Sequence, residues 1–195
     1  MRSRKSTEVR KEEIVRAALV IVEQNGLDKL NINDIAAEIK LVPAAIYRHF
    51  KGKEEIIAAL IDFTDKCLRT NLSQVNAIHD TSIVKLRYLF ELHVALLKEE
   101  GAIPRILFYL LGSDRNPEFK ASMLSVVGFY VQDIKKLLLQ GQENGEINPD
   151  IDVTAAAMLF LGMIQPLAIL SQVDKEMFAE YPAKLWYSYQ RSIAN

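Results

Sequence analysis

Several patterns that mark common classes of protein are absent from this 195-residue sequence. Its single cysteine, Cys67, excludes a disulfide within the chain and suits a reducing compartment, so we interpret it as a small core residue rather than a redox sensor. The three histidines, His49, His79 and His93, fit no HxxxH spacing, and there is no CxxC pair. These spacings argue against a zinc site, and we predict no bound metal.

Signatures of catalysis are missing as well. The sequence has no glycine-rich phosphate loop, no nucleophile elbow and no evident arrangement of serine, histidine and acid. We therefore predict no catalytic residues and no cofactor, and we expect that the protein is not an enzyme.

Glycine and proline are scarce, with eight and six residues, whereas half of the chain is hydrophobic. The apolar residues recur at helical spacing, and no segment alternates as a strand would. This composition predicts an all-α protein of about nine helices.

One stretch, Val153 to Val173, has 21 residues without a charge and is long enough to cross a membrane. However, it contains Gln165 and Pro166, and it is flanked by Asp152 and Asp174 rather than by basic residues. A buried or dimer-forming helix fits this pattern better. Since no signal peptide is evident either, we predict a cytoplasmic protein that does not bind a membrane.

Residues 31–50, NINDIAAEIKLVPAAIYRHF, have the pattern of two short helices joined by a tight turn. Asn31 occupies the N-cap position of the first helix, for which we predict residues 32–39. Pro43 opens the second helix, residues 43–50, because its fixed φ suits a first turn. At 100° per residue, Ile46 and Phe50 would face inward.

The outward face of the second helix would then carry Ala44 and Arg48, flanked by Ala45 and Tyr47, with His49 near its rim. Small residues allow a close approach to base edges, arginine can bind guanine or phosphate, and tyrosine hydroxyls bind phosphates. An ordinary helical hairpin whose outer face only contacts water fits the periodicity as well.

The run from Ile14 to Leu60 carries an ordered set of motifs: a helix ending in NG, the DIA core, YRHF, and then KGKEEI. In these motifs it resembles the DNA-binding domain of the TetR (tetracycline repressor) family of bacterial transcriptional regulators. Two positions depart from the family pattern, which usually has glycine where this chain has Lys40, and serine or threonine where it has Val42. A left-handed Lys40 would cost about 1 to 2 kcal/mol, and a missing cap about 0.5 to 2 kcal/mol.

The resemblance implies a DNA-binding domain at residues 1–52, followed by a ligand-binding and dimerisation domain at residues 53–195. Charge agrees with this division, because residues 1–54 carry 11 basic and 8 acidic side chains, a net of +3, against 13 and 17 in the remainder, a net of −4. Residues 1–6 are predicted to be a loose basic arm. The predicted DNA-contacting residues are Asn31, Asn33, Pro43, Ala44, Ala45, Tyr47, Arg48, His49 and Lys53.

The other predicted helices follow from apolar periodicity, caps and breakers. Their ranges are 7–25, 53–76, 83–99, 104–111, 117–144, 153–172, 175–180 and 182–193, with a kink at Pro166.

Members of the family dimerise through their last two long helices and bind a small molecule among the middle helices. For this chain the resemblance implies a dimer interface at Leu159, Gly162, Met163, Leu167, Leu185, Trp186 and Tyr189, which would offer more apolar surface than a monomer exposes. It implies ligand contacts from Phe63, Cys67, Phe90, His93, Phe108, Met123, Val127, Tyr130 and Met158, although each of these also fits a plain core position. Many aromatic residues and few charges among them predict an apolar ligand.

The function expected from these features is that of a homodimeric repressor that binds a palindromic double-stranded DNA operator and is released by a small apolar ligand. The alternative is a ligand-binding or protein-interaction helical bundle whose DNA-binding head is vestigial. Lys40 and Val42 are the residues that favour this alternative.

Overall fold

A computed structural model describes residues 6–195, so residues 1–5 of the predicted basic arm lie outside the described part of the chain. Within that part the fold is all-α, with nine helices and no strand apart from an isolated bridge between Ile147 and Ala194. The helices are α1 (Thr7–Asn25), α2 (Ile32–Glu38), α3 (Pro43–Ile46), α4 (Lys53–Ala77), α5 (Ser82–Glu99), α6 (Ala102–Gly112), α7 (Pro117–Glu143), α8 (Val153–Val173) and α9 (Lys175–Ile193).

The chain forms two compact units. Unit 1 comprises residues up to Thr64 together with Ala102–Leu124, and unit 2 comprises Asp65–Gly101 together with Ser125–Asn195. Helices α4 and α7 therefore each contribute residues to both units.

Unit 1 is built around α1, which packs against both α2 and α6. The hydroxyl of Ser6 caps α1 by accepting a hydrogen bond from the Val9 amide at 3.3 Å, so Ser6 is not part of a loose arm. Gly26 ends the helix with a φ of 89°, a conformation that glycine adopts without strain. The predicted inward stripe of α1 is confirmed by its burial, and it consists of Ile14, Ala17, Ala18, Ile21 and Val22.

Unit 2 has an aromatic core where α5, α8 and α9 pack together. The ring of Phe90 lies edge-on to Phe160, with centroids 6.1 Å apart, and 6.0 Å from Trp186. Tyr189 completes the cluster, and its hydroxyl donates a hydrogen bond of 2.9 Å to the carbonyl of Ala156. Burial raises the pKa of this phenol, which therefore stays neutral.

A close approach in unit 2 occurs at Gly141 on α7. A Cβ atom there would lie 2.5 Å from Cδ1 of Ile147 and 3.0 Å from Cβ of Ser82. Ile147 is fully buried, so the absence of a side chain at Gly141 lets the connection after α7 fold back on the helix. Glu146 in that connection accepts a hydrogen bond from the Ser82 amide at 2.5 Å and so caps α5.

Two predicted helix bounds were wrong. Residues 175–193 form one helix rather than two, because Pro182 removes a single amide donor and the chain keeps its helical path through it. The second helix of the helix-turn-helix ends at Ile46 rather than near residue 50, and residues 47–49 form a turn. In that turn the amides of His49 and Phe50 both donate to the Ile46 carbonyl, at 2.9 and 3.0 Å.

Helix α8 is long and apolar enough to cross a membrane, and 39% of its most apolar stretch is buried within the chain. One such helix is weak evidence for a membrane protein, because a core helix of a globular protein can have the same length and composition.

Candidate nucleic-acid interface

Helices α2 and α3 of unit 1 are joined by a turn in which Lys40 is left-handed, with a φ of 55°. The Lys40 amide donates to the Ala37 carbonyl at 3.0 Å, and the Leu41 amide donates to the Ala36 carbonyl at 2.8 Å. This pair of bonds is a Schellman motif, which satisfies two carbonyls at the end of α2. Lys40 therefore has the left-handed conformation for which the sequence analysis gave a cost of strain.

Asn31 caps the start of α2 as the sequence predicts. Its side-chain oxygen accepts a hydrogen bond of 2.9 Å from the Asp34 amide, while its amide nitrogen donates to the Asp34 carboxylate at 2.6 Å. Asn33, in the first turn of α2, is exposed. At the start of α3, Val42 makes no side-chain cap, so the predicted lack of a cap is also confirmed.

The orientation of α3 is set by two buried anchors. Ile46 is 0% exposed and Phe50 is 4% exposed, so both predicted inward positions are correct. The opposite side carries Ala44, Tyr47 and Arg48, which are exposed, with 56% of Tyr47 accessible. These two anchors therefore fix a surface whose outer residues are small at one end and aromatic or basic at the other.

The remaining predicted contact residues lie at the margin of this surface. Pro43, Ala45 and His49 are half-buried, and Nδ1 of His49 is buried without a hydrogen-bond partner among the described residues. Lys53 is half-buried at the start of α4, where its ammonium donates to the carbonyl of Asp28 at 3.2 Å. Lys53 is therefore held close to the surface of unit 1 rather than extended into water.

The predicted set of DNA-contacting residues left out one basic residue near this surface, Lys51. Lys51 is exposed in the turn before α4, and its amide donates to the carboxylate of Glu55 at 2.6 Å. Its position between the YRHF motif and α4 identifies it as a further basic side chain on this side of unit 1.

The predicted ligand-contact residues are distributed over both units. In unit 2, Phe90 belongs to the aromatic core, Cys67 and Val127 are half-buried, and Met158 is 65% exposed. In unit 1, Met123 is buried, and the half-buried ring of Phe63 lies 4.7 Å from the guanidinium of Arg16. Phe108 is 42% exposed and lines an open surface depression together with Tyr109.

His93 and Tyr130 form the polar pair in the apolar interior of unit 2. Nδ1 of His93 and the Tyr130 hydroxyl are 3.0 Å apart, and both residues are buried. Burial lowers the pKa of His93 to about 4 and raises that of Tyr130, so both side chains are neutral at physiological pH. A neutral pair of this kind can donate and accept hydrogen bonds without the cost of a buried charge.

Four of the predicted dimer residues do not offer the exposed surface on which that prediction rested. Met163, Leu167, Trp186 and Tyr189 are 8% exposed or less, because they pack into the core of unit 2. Leu185 is half-buried, whereas Leu159 and Gly162 are exposed. The exposed apolar side chains of these two helices are instead Met158, Leu159, Ile169 and Val173 on α8, and Met177 and Tyr187 on α9.

No set of three or more histidine, cysteine, aspartate and glutamate side chains that could hold a metal ion occurs within residues 6–195.

Comparison with known proteins agrees with this geometry. The model of the family described as bacterial regulatory proteins, tetR family, matches residues 14–60, which include α2, α3 and the start of α4. The chain belongs to this family. It is a DNA-binding transcriptional regulator of the TetR type.

Relatives of this TetR-family regulator extend the likeness to most of the chain. It is 24% identical over 168 residues to the HTH-type transcriptional regulator UidR of Escherichia coli K12, covering 85% of this chain and 82% of UidR. Its fold is similar to that of a TetR transcriptional regulator from Chloroflexus aurantiacus, with a TM-score of 0.83 at 19% identity over 96% of this chain and 98% of that one.

A second solved structure is FadR from Bacillus subtilis in complex with stearoyl-CoA. Its TM-score is 0.77 at 19% identity, covering 91% of this chain and 96% of FadR. At this identity the likeness establishes the fold.

Proposed function

We propose that this regulator is a repressor that binds a palindromic operator as a homodimer and leaves it when a small apolar ligand binds. The observation that carries the proposal is the exposed surface of α3 and the turn after it, where Ala44, Tyr47 and Arg48 project away from buried Ile46 and Phe50. The small side chains of this surface allow a close approach to base edges, and the surface also carries one guanidinium and one phenol. This combination suits binding in a major groove.

Each side chain of this surface has a distinct proposed role. Arg48 reads a base or grips a phosphate, because its guanidinium offers two parallel donors. Tyr47, His49 and Lys53 position the phosphate backbone, and Ala44 and Ala45 allow the helix to approach base edges. Asn31, Asn33 and Pro43 complete the proposed contact set. In this proposal DNA binding belongs to residues 1–52, and ligand binding and dimerisation belong to residues 53–195.

The exposed face of α8 supports a homodimer. Met158, Leu159, Ile169 and Val173 repeat at helical spacing and are 55 to 73% exposed. An apolar face of this kind is expected to be covered by a partner, and a two-fold axis would place the same face of a second copy against it. Two DNA-binding surfaces related by that axis would read two half-sites.

The ligand site is proposed to lie among the apolar side chains predicted from the sequence. The stearoyl-CoA complex of FadR supports a ligand with an apolar acyl chain, whereas the CoA part of that molecule carries charged phosphate groups and gives no such support. The ligand can release DNA only by binding better to the form of the protein that does not bind DNA. As a transcriptional regulator that binds DNA, the protein is proposed to act in the cytoplasm.

The test is selection of bound sequences from a random pool of double-stranded DNA at near-physiological salt. We expect a palindrome that is bound at least about a thousandfold more tightly than a scrambled duplex, with an affinity that falls steeply as salt rises. Binding that is salt-sensitive but shows no preferred sequence would contradict the proposal and would favour a vestigial DNA-binding head.

A further inference from the structure

The most exposed apolar side chain near the DNA-binding surface is Val42, the residue just before α3. Its side chain is 66% exposed and makes no capping hydrogen bond. It is followed in sequence by Pro43 and Ala44, of which Ala44 is exposed. The segment from Leu41 to Ile46, LVPAAI, contains no side chain that can donate or accept a hydrogen bond.

This composition restricts what the side chains of the segment can recognise. Phosphates and most features of base edges are recognised by hydrogen-bonding groups, which these six side chains lack. The one apolar feature that the major groove presents in unmodified DNA is the C5 methyl group of thymine.

We propose that Val42 is a specificity-determining residue that packs against a thymine methyl group in each operator half-site. This inference rests on the proposed binding of an operator through α3. Ala44 extends the same apolar surface, whereas Tyr47 and Arg48, further along the chain, supply the polar contacts. The half-site read by this protein therefore contains at least one thymine that is recognised by its methyl group.

The backbone around Val42 makes a fixed contact possible. Val42 has extended backbone angles, with φ −92° and ψ 148°, and its carbonyl accepts a hydrogen bond of 2.9 Å from the Ala45 amide. As a β-branched residue it has few rotamers to lose on binding. Its methyl groups are thus presented from a position that is tied to α3 on one side and to the Lys40 turn on the other.

The test replaces each thymine of the selected operator by uracil, one position at a time and symmetrically in both half-sites. Uracil keeps every hydrogen-bonding group of thymine and lacks only the methyl group. Removing one methyl group from an apolar contact is expected to weaken binding about fourfold for each half-site, and about fifteenfold for both. The same operators are then measured with Val42→Ala, which should bind the thymine operator more weakly and lose sensitivity to uracil at that position.

The matched control is Val84→Ala, the same change at an exposed valine of α5 in unit 2, which is 41% exposed. It should keep both the wild-type affinity and the wild-type response to uracil. Because Val42 is largely exposed, Val42→Ala should keep the wild-type circular dichroism and melting temperature. A second test uses an operator in which the sensitive thymine is replaced by cytosine. Methylating that cytosine at C5 should restore part of the lost affinity for the wild-type protein but not for Val42→Ala.

Two results would overturn the inference. One is an operator in which no thymine responds to uracil, and the other is a response that is equal in wild type and Val42→Ala, which would assign the methyl contact to another residue. Both differ from failure of the proposed function, in which no operator sequence would be selected at all.

Discussion

Arg48 is the only arginine on the exposed side of α3 and its following turn. Replacing it by alanine should weaken operator binding by more than about 1 kcal/mol, or at least fivefold, because a bidentate contact to a base or phosphate is lost. The measurement is titration of a labelled operator duplex. Arg87→Ala is the control, since Arg87 is exposed on α5 and pairs with Glu91. Unchanged affinity for Arg48→Ala would remove this residue from the interface.

His93 makes the stability of the protein depend on pH. Its pKa is about 4 in the folded chain, because burial disfavours the charged imidazolium, against 6.5 as its ordinary value. The unfolded chain therefore binds a proton between pH 6.5 and 4 that the folded chain does not, and the free energy of unfolding falls as the pH is lowered through this range. The loss at pH 5 should be about 2 kcal/mol.

Denaturant unfolding at pH 7 and pH 5 measures this effect. His93→Gln should reduce the difference between the two pH values, since glutamine does not titrate and can still bond to Tyr130. His79→Gln, the same change at an exposed histidine, is the control. An equal pH dependence in wild type and His93→Gln would show that other groups cause it.

At the scale of secondary-structure elements, the turn between α2 and α3 holds Lys40 in a backbone conformation that is unfavourable for a residue with a side chain. Lys40 holds a φ of 55°, at a cost of about 1 to 2 kcal/mol that glycine would avoid. After the greater backbone entropy of glycine is allowed for, Lys40→Gly should stabilise the fold by about 1 kcal/mol and raise the melting temperature by about 2 to 4 °C.

Lys40→Ala separates charge from conformation, because it removes the same charge but keeps a Cβ atom at positive φ. It should give no gain in melting temperature. If both variants were stabilised equally, the gain would come from removing the charge and not from the backbone.

The contact at Gly141 is a second constraint at this scale. Gly141→Ala should destabilise the protein by about 1 to 3 kcal/mol, because the new Cβ atom would overlap buried Ile147. Gly128→Ala on the same helix has no atom within 4 Å of the new Cβ, so it should stabilise by about 0.5 to 1 kcal/mol. Thermal melts of the two variants should therefore shift in opposite directions, and a shift of Gly141→Ala toward higher temperature would contradict the overlap.

The bounds of a helix were predictable from the sequence where a particular residue begins or ends the helix. The bounds of α1 were predicted correctly because the apolar stripe and Gly26 mark them, and the Lys40 and Val42 departures correctly located a turn and an uncapped helix start. The break at Pro182 was wrong, because a proline inside a helix removes one hydrogen bond and packing of Trp186, Tyr189 and Ile193 holds the helix together.

At the scale of the whole molecule, dimerisation should depend on the exposed face of α8. Ile169→Glu would place a carboxylate in the proposed interface and should raise the dimer dissociation constant about a hundredfold or more. Sedimentation equilibrium measures this dissociation constant, and the affinity for the operator should fall in parallel. Val84→Glu, the introduction of the same charge on α5, should leave the dimer intact. A dimer that persists in Ile169→Glu would place the interface on another surface.

The sequence could not assign the two faces of α8 because both are apolar. Met163 and Leu167 face the aromatic core of unit 2, whereas Leu159 and Ile169 face outward, and periodicity alone gives the same weight to each set. The same limitation applies to the ligand contacts, since Phe90 pairs with Phe160 and Trp186 in the core. The division of function at residue 52 stays a prediction, because it came from the family pattern.

The one thiol of the chain has a practical consequence for spectroscopy. Cys67 is half-buried on α4, so a small maleimide or nitroxide reagent has one attachment point per chain, and no cysteine needs to be removed first. A homodimer would carry two labels related by its symmetry axis. The distance between them, measured by pulsed dipolar spectroscopy with and without operator, would report directly on how far the two copies of α4 move.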